Sequence, residues 1–169
     1  MLRLLAVSVL LAPLAAGACS IPRPEQFVPA EQLLKRSKNI VLAEAIKAEL
    51  QPDGLGVLYT FKAISQYRGI RQREFRLEGL PASPKGKDFE RFVDHFDERF
   101  WSDSGGRNYP APDCEIYPAF SLGTTYLVFL DKPYHIKSFE IVSSLAGNAA
   151  TKDKWLQYVE AVSNLRVLR

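Results

Sequence analysis

The feature that most constrains this chain is the junction Ala16-Gly17-Ala18-Cys19-Ser20-Ile21-Pro22. Before it, Arg3 is the only charge, and residues 4–14 are apolar apart from one serine and one proline. A positive start, a short apolar middle and an A-x-A end describe an export signal over residues 1–18. The run is too short to span a bilayer. Pro13 argues against a buried N-terminal helix. A folded domain is therefore expected over residues 19–169, beginning on a cysteine. Two fates of Cys19 fit this stretch. A general signal peptidase leaves its amine free, whereas a lipoprotein pathway cuts the same bond and acylates it. Ala16 stands three residues before the cysteine, where lipoprotein signals favour leucine.

Removing 18 residues from 169 leaves 151, enough for one domain with a core. Hydrophobic residues make up 47% of the chain and the charges are mixed, which points to a globular fold and away from disorder. A net charge of +3 is too small to imply nucleic acid. The only other cysteine is Cys114. Two cysteines in an exported chain fit one disulfide and cannot by themselves build a tetrahedral zinc site.

Pro22, Pro24 and Pro29 make residues 20–29 an extended segment that something must pin down. Residues 29–38 read as a short helix carrying Leu33 and Leu34. Residues 39–50 carry helix formers at helical spacing. The turn Pro52-Asp53-Gly54 and the strand-like 57–67, with Tyr59, Phe61 and Tyr67, instead favour a hairpin, so 39–50 is expected as a strand. A third strand is expected over 74–77. Phe89, Phe92, Val93 and Phe96 recur at helical spacing behind a possible cap, Asp88. The acidic residues Glu90, Asp94, Asp97 and Glu98 are then the wet face of that helix. Residues 102–112 are turn-rich. Residues 126–130 and 136–143 form a second hairpin through Asp131-Lys132-Pro133. Trp155, Tyr158, Val159, Val162 and Leu165 form the apolar stripe of a terminal helix. The fold class expected is mainly β: a five-stranded, closed or partly closed barrel holding Val41, Tyr59, Phe61, Leu127 and Phe129, with helices outside.

No motif argues for an enzyme, and no cofactor is implied. Asp103-Ser104-Gly105-Gly106 resembles the nucleophile stretch of trypsin-like proteases, but the chain is too short for two barrels and His95 is not in a matching context. A flexible glycine turn is the expectation there. No G-x-S-x-G, P-loop, dinucleotide fingerprint or H-E-x-x-H occurs. His95 and His135 are isolated and read as surface or packing residues.

Cys19-Ser20-Ile21-Pro22 resembles the mature start of the tissue inhibitors of metalloproteinases. Lys38-Asn39-Ile40-Val41-Leu42-Ala43-Glu44-Ala45 is similar to their first strand. Tyr59-Thr60-Phe61-Lys62-Ala63-Ile64 followed by Tyr67-Arg68-Gly69 is similar to their next. Cys114, Phe120, Gly123 and Tyr126-Leu127-Val128-Phe129 resemble a later segment. The order holds across most of residues 19–169. The resemblance implies a netrin-like module, an OB-type barrel with terminal helices, and a Cys19–Cys114 disulfide. It implies inhibition of a zinc metalloprotease, with the α-amine and carbonyl of Cys19 chelating the protease's catalytic zinc. Ser20 and Ile21 would follow into the cleft, and Pro112 and Asp113 would form the second contact. Three departures stand out. Ile21 replaces a second cysteine, Glu115 replaces a glycine, and 88–101 has no counterpart. The location implied is extracellular or periplasmic. The alternative is a lipoprotein of the outer membrane, anchored through Cys19 and using the same barrel to bind another partner. Membrane contact is expected only in that case.

Overall fold

The computed structural model describes residues 22–82, 94–142 and 153–167. Its frame is one antiparallel sheet of five strands in the order β3-β2-β1-β4-β5. The strands are β1 (Ile40–Leu50), β2 (Val57–Arg68), β3 (Glu74–Gly79), β4 (Thr125–Phe129) and β5 (Phe139–Ile141). Two α-helices flank it, α1 (Ala30–Arg36) and α2 (Lys154–Val167). Short 3-10 turns occupy Pro24–Phe27 and Glu98–Trp101.

The helix formers of β1 are overruled by pairing on both sides. Val41 faces Gln66 of β2 and Val128 of β4, and Ala43 faces Ala63 and Tyr126. Alternation then does what a helix could not: Val41, Ala43 and Ala45 enter one core while Ile40 and Leu42 enter another. The first core gathers Tyr59, Phe61, Tyr126, Phe139 and Ile116 around Phe120. The ring of Phe120 meets those of Tyr59, Phe61 and Tyr126 edge-on at 4.8–5.1 Å. The second core lies between the sheet and the helices, with Leu33, Leu34, Phe100, Leu127, Phe129, Trp155 and Val159.

This corrects the expected core. Leu127 and Phe129 do not join Val41, Tyr59 and Phe61; they face the opposite way, against Trp155. The parity of β4 decides it, because Tyr126 and Val128 take the first face. The expected strand over 39–50, its hairpin with β2 and the third strand are all present. β3 and β5 are the sheet's two edges, and no ladder joins them among the described residues. Just past β3, the Leu80 amide donates to the Pro118 carbonyl at 2.9 Å, tying that edge to the loop before β4.

β5 is shorter than expected because His135 organises a turn before it. The His135 amide donates to Ser138 Oγ (2.8 Å), and the Ser138 amide donates to the His135 carbonyl (2.8 Å). Most of the expected helix around Phe89, Phe92 and Val93 lies outside the described residues. Phe96 itself sits in a turn and is 54% exposed, so it is not the buried end of a stripe. Asp103-Ser104-Gly105-Gly106 does make a turn, closed by the Gly105 amide donating to the Ser102 carbonyl at 3.1 Å, but its glycines are packed in. Both are buried, and a Cβ on Gly105 would strike the carbonyls of Arg99 and Phe100. Close backbone approach, not mobility, requires glycine there. The terminal helix packs on the sheet through Trp155 and Val159; the side chain of Leu165 lies outside the described residues.

Candidate functional site

Two regions concentrate polar chemistry. The first is the loop carrying Pro112, Asp113 and Cys114. Pro112 and Asp113 are exposed. Asp113 accepts from the Glu115 amide (3.0 Å) and from Tyr117 Oη (2.5 Å), which holds its carboxyl below the usual range. Cys114 has φ 67, an uncommon conformation for a side-chain-bearing residue. Among the described residues no cysteine is free.

The strap 22–28 lies against this loop. Arg23 pairs with Glu115 at 2.7 Å, and Gln26 Nε2 donates to the Cys114 carbonyl at 2.8 Å. Gln26 is fully buried, so that bond holds the strap at one registered point. Further along, the Gln26 carbonyl accepts from the Ile136 amide (3.2 Å). His135 Nε2 lies 2.8 Å from the Val28 carbonyl while His135 Nδ1 accepts from the Lys137 amide at 3.0 Å. An acceptor Nδ1 and a donor Nε2 define a neutral imidazole, and burial pushes its pKa down to about 3. His135 thus fastens the strap to the sheet. Cys19, Ser20 and Ile21 lie outside the described residues. The described strap begins at Pro22, three positions after Cys19.

Beside this loop is a depression of about 620 Å³ lined by Leu55, Leu80, Ile116, Tyr117, Glu115 and Tyr134, among others. Leu55, Leu80 and Tyr117 are exposed on its rim. The open edge therefore combines a strap end, an exposed loop and apolar rim residues.

The second region is closed. His95, Glu140 and Asp153 have side chains only 1–3% exposed. His95 Nδ1 lies 2.8 Å from both carboxylate oxygens of Asp153, and Nε2 lies 3.4 Å from Glu140. Desolvation opposes charge on His95, but the hydrogen bonds to Asp153 and Glu140 outweigh it and raise its pKa to about 9. Burial raises that of Glu140, whose other oxygen accepts from the Arg107 amide at 2.7 Å. Asp153 also accepts from the Leu156 amide at 3.0 Å, the pattern of an N-cap for α2. Lys137 is buried nearby; desolvation lowers its pKa to about 8, and its Nζ donates to the Ser102 carbonyl.

An acid–base constellation of this kind invites a catalytic reading, but its side chains line neither of the two depressions described among these residues, the one beside the Cys114 loop and one beside β2 and Asn164. Its bonds instead join the 94–108 segment, β5 and α2. Among the described residues no group of three His, Cys, Asp or Glu side chains could hold a metal ion. In the sequence His95 stands isolated because its partners lie 45 and 58 positions away. No local spacing could have revealed them. Among the described residues no helix is long and apolar enough to cross a membrane. No protein-family model matches this sequence, and a search of curated proteins returns no significant match.

Proposed function

We infer that the protein is an exported, non-enzymatic binding module of OB-like, netrin-like build that inhibits a zinc metalloendopeptidase. The observation that carries this reading is the docking of the strap on the Cys114 loop, through Arg23–Glu115 and Gln26–Cys114. It brings the chain that leads back to Cys19 beside Pro112 and Asp113. The only other cysteine in the sequence is Cys19, so a Cys19–Cys114 bond would complete the same attachment. A free α-amine and the carbonyl of Cys19 would then be presented on an exposed edge as nitrogen and oxygen donors. Such donors suit an open catalytic zinc, which the partner would supply.

The test uses purified mature protein and a form with one alanine before Cys19, against a panel of zinc metalloproteases. The unextended form should inhibit at least one protease, and the extended form should not. Inhibition should weaken as pH falls, since an α-amine titrates near pH ~8 and only its neutral form donates. Equal inhibition by both forms, or none by either, would remove zinc chelation.

A further inference from the structure

The charge of the chain is not evenly spread. Between Lys62 and Arg76, the β2–β3 hairpin carries five cations, Lys62, Arg68, Arg71, Arg73 and Arg76, against a single carboxylate, Glu74. This local excess is larger than the net +3 of the whole chain, which is why the overall balance hides it. Lys62, Arg71, Arg73 and Arg76 are exposed. Arg68 is engaged inward, donating to the carbonyls of Leu34 and Ser37.

At the tip, Gly69 turns the chain with φ 92 and the next residue, Ile70, is 88% exposed. Ile64, on β2, is 48% exposed. A depression of about 700 Å³ lies beside them, lined by Lys62, Ile64, Arg71, Gln72, Arg73 and Asn164, among others. The hairpin is braced from behind, since Tyr67 Oη donates to Glu160 of α2 at 2.9 Å.

We propose that this hairpin docks on an anionic bilayer, with Ile70 entering the headgroup boundary while Arg71, Arg73 and Lys62 pair with lipid phosphates. A protruding aliphatic residue ringed by cations complements such a surface in both respects. Single-stranded nucleic acid fits less well. The projecting side chain is aliphatic and offers no ring for base stacking. The orientation follows from the strands. Glu115, Ile116 and Tyr117 share a depression with Gly56 and Gly79, next to the Val57–Gly79 pair, whereas the tip follows Arg68 at the other end of β2. Twelve residues of strand separate the two ends, roughly 40 Å at ~3.3 Å per residue. Docking by the tip would hold the Cys114 edge away from the bilayer, and it requires no acyl chain on Cys19.

Vesicle co-sedimentation tests this with the purified exported protein. Its readout is the ratio of binding to phosphatidylcholine vesicles containing phosphatidylglycerol over binding to phosphatidylcholine alone. That ratio isolates the headgroup contribution whether or not Cys19 carries lipid. It should be large at 0.1 M salt and collapse near 1 M. Arg71→Gln with Arg73→Gln should lower it about thirty-fold, at roughly 1 kcal/mol per cation. Ile70→Ser should weaken binding with the salt dependence kept. Both variants should keep the wild-type melting temperature and protease inhibition. A ratio near one, or an unchanged ratio in the double variant, would overturn the proposal. So would tighter binding to single-stranded DNA than to the anionic vesicles at the same salt.

Discussion

The His95 cluster and the Cys114 edge are both built from charged side chains within hydrogen-bond reach, yet they do opposite work. At the first, His95, Glu140 and Asp153 are sealed between β5, α2 and the 94–108 segment. At the second, Arg23 and Glu115 keep 47% and 37% of their side-chain surface exposed. Burial makes each bond in the first costly to break, because the surviving partner is left charged without water. Exposure makes the second cheap to break and open to a partner molecule. Density of titratable groups therefore does not by itself mark a surface open to a partner; access to solvent does.

The sharpest way to break this contrast is Glu140→Ala. It leaves His95 with one carboxylate fewer and the Arg107 amide without its acceptor, and should cost about 3–5 kcal/mol in chemical denaturation. A cost under ~1 kcal/mol would mean that the cluster is wetter than its burial implies. Next in size is Cys114→Ser. If Cys114 closes the long loop to Cys19, its loss should lower stability by about 4 kcal/mol in the chain-entropy model, less where strain intervenes.

The two buried histidines give a pH signature. His95 holds its proton up to about 9 in the fold, against 6.5 unfolded, so its contribution is full below pH 6.5 and declines as pH rises toward 9. His135 is neutral down to about 3, so its contribution is full above pH 6.5 and declines as pH falls toward 3. Lys137, lowered to about 8 from 10.5, opposes the alkaline decline once pH exceeds about 8. Urea midpoints across pH should therefore peak near 6.5 and drop between 6.5 and 8. His95→Gln should flatten that alkaline drop relative to wild type, whereas Arg23→Ala should leave the curve's shape unchanged. The smallest effect is on stability in Arg23→Ala, under about 1 kcal/mol for an exposed pair. If the strap aims Cys19, the same substitution should still weaken protease inhibition measurably.

Much of the sheet was legible because its signals are local. Pro52-Asp53-Gly54 announces the first hairpin, and Gly54 indeed has φ 72 there, with the Asp53 carboxylate accepting from the Leu55 and Gly56 amides. The apolar positions of β1 could be read as a strand once that turn was recognised. Which core each residue of β4 enters was not legible, because the pattern Tyr126-Leu127-Val128-Phe129 is apolar on both faces and gives no parity. The close packing of Gly105 and Gly106 was not legible, because a crowding glycine and a turning glycine look alike in sequence. At the candidate site, Pro112, Asp113 and Cys114 were found through a family resemblance. Arg23, Gln26 and His135, which fasten the strap, carry no motif. Their partners lie between 88 and 107 positions away for Gln26–Cys114 and His135–Val28.

The most direct test of the account is non-reducing peptide mapping of the exported protein with exact masses. The expected result is a cross-linked pair of peptides, one containing Cys114 and the other beginning at Cys19 with an unmodified α-amine. An acyl mass on Cys19, or a free thiol at Cys114, would contradict it.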